Sequence, residues 1–181
     1  MDFYIFATEI ILIREIMSST KSILCVLCVL MGLIGPSFYL YNHIIFNKNC
    51  GGYIKQAADA NTVELAIERL DKAIAYAETN NLTTGYTSVF YATESDNIGF
   101  WYQNMKACRE ELNNCLESSQ LEKTNVLLKV RESLTDDGEK GVSVTIPNGI
   151  SRYPYNLLLG ILLWLAIFSW LVVLYCFSDP W

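Results

Sequence analysis

Two long apolar runs bracket a polar middle whose apolar positions recur with helical spacing. The first run, Ser22–Phe46, and the second, Tyr155–Phe177, contain no Asp, Glu, Lys or Arg. A helix needs roughly 20 apolar residues to cross a hydrocarbon core, so each run is long enough with some tilt. Tyr39, Tyr41 and Phe46 lie towards the end of the first run, and Tyr153, Tyr155, Tyr175 and Trp181 flank the second. Such amphipathic rings favour the headgroup region. A cleaved signal peptide would have a shorter core and a small-residue cleavage site. The residues after the first run, NKNCGGY, have neither an Ala-x-Ala pattern nor a small residue before Cys50. The first run therefore reads as an uncleaved anchor.

Inside that run, Gly32 and Gly35 form a small-residue groove, and Pro36 predicts a kink near Gly35. Neighbouring elements prefer short connections and adjacent packing, so the second run of the same chain is expected to fill the groove.

The middle predicts helices. Val63, Ala66, Ile67, Leu70, Ala73, Ile74 and Ala77 make one stripe, with Asn61 as the expected cap, Glu64 three residues on, and Glu68 and Lys72 spaced to pair. Upstream, GGYIKQAADA reads as a short helix that Gly51 and Gly52 uncouple from the anchor. The next stripe is Ile98, Trp101, Met105, Cys108, Leu112 and Cys115, with coiled-coil-like steps of three and four and Asp96 as the expected cap. Ser119 with Glu122 signals a fresh helix after a break near Ser118, carrying a stripe of Leu121, Leu128 and Leu134 beside Val126 and Leu127. Leu82–Asp96 is a linker with Gly85 as a turn signal and a short extended piece in YTSVFYAT. GVSVTIPNGISRYPY reads as extended chain, since Pro147 and Pro154 oppose a helix.

The expected fold class is an all-α membrane protein, with two transmembrane helices flanking an extramembrane helical-hairpin or bundle module. Its segments are a lead at 1–21, helix one at 22–46, the module at 47–154, helix two at 155–177 and a tail at 178–181. The lead is apolar but carries Glu9, Arg14 and Glu15. It reads as an interfacial helix or a start artefact, with Met17 as the alternative start.

Charge narrows the partners. The chain has a net charge of −6 and no basic cluster, which argues against nucleic acid, whose phosphates need a Lys/Arg footprint. The bilayer is the expected partner, together with another membrane protein or a second copy. Arg14 and Lys21 precede the first run, while Lys48, Lys55 and Arg152 lie on the loop side. The positive-inside rule weakens for loops beyond about 60 residues. A signal-anchor start places the module outside the cell membrane and both ends in the cytoplasm.

Candidate chemistry is sparse. The single His43 rules out a metal site built on several imidazoles of one chain, and it reads as interfacial. Cys108 and Cys115 are seven residues apart, about 10 Å along a helix, too far to bond each other or to share one zinc. Seam packing is their expected role, with a candidate disulfide from Cys50 to one of the two as the rival. Cys25 and Cys28 form a CxxC, but apolar surroundings raise a thiol's pKa, and reactive pairs need it lowered. Glu110–Glu111 reads as a solvated face, and TDDGEKG lacks the ligand spacing of a calcium loop. No Ser-His-Asp set, phosphate loop or zinc-protease motif is present.

The expected function is that of a non-enzymatic, membrane-anchored interaction or assembly module without a cofactor. Tyr86, Phe90, Tyr91, Trp101 and Tyr102 are its candidate contact surface, because aromatics are enriched in hot spots. One alternative is a sensor or ligand-binding input subunit lacking its own output domain. A second is a membrane thiol-redox protein using Cys25 and Cys28.

Overall fold

The computed structural model describes residues 2–138 and 141–178. Trp181, Glu139 and the end of the tail lie outside them. Most of the described chain is helical, in the order α1 Asp2–Phe46, a π-turn Asn47–Gly51, α2 Gly52–Ala58, α3 Val63–Thr79, α4 Ile98–Asn114, α5 Gln120–Leu134, strands β1 Thr135–Gly138 and β2 Gly141–Val144, and α6 Asn156–Ser178. Two compact units result. One comprises Met1–Leu40 with Leu158–Trp181, and the other Tyr41–Leu157.

In the first unit, Ala166 and Ser169 of α6 and Gly32 and Gly35 of α1 are buried, while Leu27, Leu30, Leu33, Trp164 and Phe168 are exposed. The groove is filled as its residue types predict. A Cβ added at Gly32 would lie 2.6 Å from Trp170 Nε1, and one at Gly35 would lie 3.8 Å from the Leu162 backbone. The Ser169 hydroxyl is 3.1 Å from the Cys28 carbonyl and 2.9 Å from that of Ala166. Helix α1 continues through Pro36. Among the described residues one helical stretch, Cys25–Ala58, is long and apolar enough to cross a membrane, and the corresponding stretch of α6, Asn156–Val172, is shorter.

In the second unit, α2 packs on α3 and α5, and α4 packs on the same two helices, giving a short bundle. Gly51 and Gly52 do not uncouple α2 from α1. The helix continues through the π-turn, and Gly52 makes this passage feasible: a Cβ there would sit 2.9 Å from the Asn47 carbonyl oxygen. Phe46, Cys50 and Ile54 thus keep one buried row. Val63, Ala66, Leu70, Ala73, Ile74 and Ala77 of α3 meet Ile98, Trp101, Tyr102, Met105, Cys108 and Leu112 of α4 in the core.

The caps of α3 and α4 fall one residue later than expected. Thr62, not Asn61, accepts from the Leu65 N–H, and Asn97, not Asp96, accepts from the Phe100 N–H. Ser119 does cap α5, accepting from the Glu122 N–H at 3.4 Å. The buried face of α5 is Val130 and Leu134, with Val126 and Leu127 half-buried, whereas Leu121 and Leu128 point outwards. Positions 126, 130 and 134 step by four and share a face with 127. Leu121 and Leu128 repeat at seven on a different one.

The chain also carries a short antiparallel hairpin: Gly141–Val144 lies in the segment read as extended chain, and Thr135–Gly138 adds a strand beside it. Thr135 pairs with Val144, and Gly138 with Gly141, so the acidic residues Asp136 and Asp137 lie in a strand. Gly141 has φ 105°, the left-handed region that glycine enters at little cost.

Candidate functional site

The linker 82–97 is the most distinctive surface of the helical unit. Its base is pinned. The Leu82 N–H bonds the Ala77 carbonyl at 2.7 Å, and Asn81 turns the chain with φ 57°. The Ile98 N–H reaches the Gly85 carbonyl at 2.9 Å, and the Thr87 N–H reaches that of Asp96 at 3.0 Å. Gly85, at φ 103°, lies against the hydroxyl end of Tyr153: a Cβ there would fall 2.5 Å from the phenol oxygen. The Asn156 amide donates to the Thr87 carbonyl. Above this base, the Ser88 hydroxyl donates to the Tyr91 carbonyl at 2.6 Å, and the Thr93 N–H and hydroxyl both donate to the Asp96 carboxylate.

The restrained loop holds its largest apolar side chains in the open. Phe90 is 96% exposed and Tyr91 79%, with Tyr86 and Val89 also exposed. The five candidate aromatics therefore separate. Tyr86, Phe90 and Tyr91 share the loop surface, whereas Trp101 and Tyr102 are buried on the inner face of α4. Trp101 stacks at a tilt on Phe46, with 6.5 Å between ring centroids, which makes it core. The Tyr102 hydroxyl donates to Glu78 at 2.6 Å, a bond that holds the phenol protonated and raises its pKa. Exposed Leu121 and Leu128 on α5 form a second apolar patch. Their seven-residue spacing was the available signal, but it is the same spacing that marks a buried seam.

The described cysteines are free thiols. Cys50 is fully buried, and its sulfur lies 3.8 Å from the Ala73 carbonyl. Burial pushes its pKa up to about 12. Cys108 and Cys115 are buried in the seam, and desolvation raises both thiols. A thiolate is the reactive form, so these environments oppose nucleophilic or redox work. Cys25 and Cys28 lie half-buried on α1.

The charged groups form exposed pairs: Lys72 with Glu68 at 2.7 Å, Arg109 with Asp71 at 2.7 Å and Lys129 with Glu111 at 2.6 Å. Each joins surface positions, where an ion pair adds little. His43 is exposed on α1, with Nε2 3.1 Å from the Asn47 amide. Among the described residues no group of three or more His, Cys, Asp or Glu is placed to hold a metal. No protein-family model, curated protein or solved structure matches the chain.

Proposed function

We propose that this protein is a non-enzymatic, two-span membrane protein whose helical module, lying outside the cell membrane, docks a partner membrane protein or a second copy through the loop 82–97. The reading rests most heavily on Phe90 and Tyr91. Two large aromatic side chains stand in solvent on a loop whose base is fastened by backbone and side-chain bonds. Ordering such a surface costs little on binding, because the loop already holds its conformation. Aromatic side chains then contribute contact area of the kind that dominates interface energetics.

Membrane anchoring is supported by the burial pattern of the first unit. There the small residues Gly32, Gly35, Ala166 and Ser169 are inside, and large aliphatic and aromatic side chains face out. Water would penalise that arrangement and hydrocarbon would not, because lipid tails are as apolar as the side chains they meet.

The test is photocrosslinking in native membranes from a probe at position 90, compared with one at the buried position 105. A discrete adduct from position 90, absent from position 105 and lost in the F90A/Y91A double variant, is the expected result. A strictly monomeric protein with no position-specific adduct would remove the basis of this reading.

A further inference from the structure

We propose that the tip of the loop 82–97, Phe90 with Tyr91, enters the headgroup layer of the membrane that the second apolar run crosses, so that a lipid surface is its constant neighbour. This contact rests on the two-span reading above and narrows the docking one: a protein partner that meets the loop meets it at the membrane surface.

Chain connectivity sets the level of the loop. Its middle is tied to the start of the second run, because the Asn156 amide donates to the Thr87 carbonyl. Asn156 is the second residue of that charge-free run, Tyr155–Phe177. A second tie lies two residues earlier on the loop, where Gly85 sits against the hydroxyl end of Tyr153. Tyr155 and Leu157, on either side of Asn156, are exposed, an aromatic and aliphatic border of the kind found at a membrane boundary. Thr87 is therefore held at the level where the chain passes from water into hydrocarbon. Phe90 is three residues further on, at most about 11 Å of extended chain. The interfacial layer is roughly 5–7 Å deep on each side of the hydrocarbon, so headgroups are within reach of the tip.

Side-chain chemistry chooses the direction. Phe90 and Tyr91 stand clear of the helical unit, and Tyr86 and Val89 beside them are also exposed. No charged residue occurs from Leu82 to Thr93, so the tip presents no carboxylate to lipid phosphates although the chain carries a net charge of −6. The acids of the loop, Glu94 and Asp96, come after the tip, and the Asp96 carboxylate accepts from the Thr93 N–H and hydroxyl. The same loop is not built for the hydrocarbon core, where irregular backbone cannot be left unpaired. The Ser88 hydroxyl satisfies the Tyr91 carbonyl, and the hydroxyl of Tyr91 itself favours the wet side of the boundary. Insertion is therefore shallow, with Phe90 the deeper of the two.

The test is photocrosslinking of the purified full-length chain in phosphatidylcholine vesicles, from a photoreactive residue at position 90. The side chain there is exposed, so the substitution disturbs no packing. The controls are position 105, which is buried, and position 110, which is exposed on α4. Position 110 lies about 18 Å along that helix from Ile98, where the loop ends. The expected result is a mass gain of one phospholipid from position 90 and none from either control. No lipid adduct from position 90, or as much from position 110, overturns the proposal. A protein–protein adduct in place of the lipid adduct also overturns it, in favour of a second copy. Native membranes separate the two readings. A lipid adduct with no protein adduct there removes the docking reading and supports this contact, whereas a protein adduct with no lipid adduct does the reverse. A chain that leaves the membrane on carbonate extraction refutes the anchoring on which both stand.

Discussion

The two units of this protein bury opposite kinds of side chain. Among the described residues of the first unit, Gly32, Gly35, Ala166 and Ser169 are inside, with Leu159 as a large exception, and Leu27, Leu30, Leu33, Trp164 and Phe168 are outside. In the unit of residues 41–157, leucine, isoleucine, methionine and tryptophan are inside and charged pairs ring the outside. The first is held by close helix approach at Gly32 and Gly35 and by the Ser169–Cys28 bond, the second by removing apolar area from water. Overall hydrophobicity hides this difference. What separates the units is which size of apolar residue each one hides.

The contrast can be broken most forcefully in the helical unit. Leu70 of α3 is fully buried in the core of that unit. Leu70→Ala is expected to cost about 2–5 kcal/mol in denaturant unfolding of that unit, the usual range for a leucine cavity. Far-UV circular dichroism with protease mapping would show the loss confined to residues 41–157.

Alkaline pH is the next largest lever. Cys50 ionises near 12 in the folded chain against an ordinary value of 9.0, so the folded state holds its proton longer than the unfolded one. Its contribution is therefore complete below pH 9 and is lost as pH rises from there towards 12. About 2 kcal/mol should be gone near pH ~10.5. The raised phenols of Tyr76 and Tyr102 and the thiols of Cys108 and Cys115 act in the same direction. Melting curves from pH 8 to 11 should fall, and Cys50→Ala should flatten part of that slope; an unchanged slope would show that Cys50 is not the titrating group.

In the apolar unit the equivalent perturbation is addition rather than removal. Gly32→Leu drives a side chain into Trp170 and is expected to cost about 1–3 kcal/mol of helix–helix packing. Tryptophan emission should shift while the melting of the helical unit stays put. The smallest effect separates neighbouring residues. Thr62→Ala should cost about 1 kcal/mol through loss of the cap, and Asn61→Ala close to nothing.

Much of this architecture was legible before any coordinates. The α3 and α4 stripes, the α5 cap at Ser119 and the glycine groove follow from periodicity and size. What was missed has identifiable causes. Asn61 and Asp96 are good capping residues beside other good capping residues, Thr62 and Asn97, so composition alone cannot choose the register. The α5 stripe was assigned to leucines because leucine outranks valine by size, yet the four-residue step through Val126 and Val130 sets the face. Thr135–Gly138 looks too polar for a strand, and its pairing with Gly141–Val144 in a hairpin rests on backbone hydrogen bonds rather than on an apolar pattern. Trp101 and Tyr102 read equally as surface anchors or core, because an aromatic side chain suits both. Their packing against Phe46 and Glu78 is tertiary information. The tie between Thr87 and Asn156 was invisible for the same reason, since the two lie 69 residues apart.

The free, deeply packed thiols have a practical corollary. A core that uses the sulfurs of Cys50, Cys108 and Cys115 as filler forms its packing without an oxidant, so among the described residues the assembly of the helical unit waits on no disulfide.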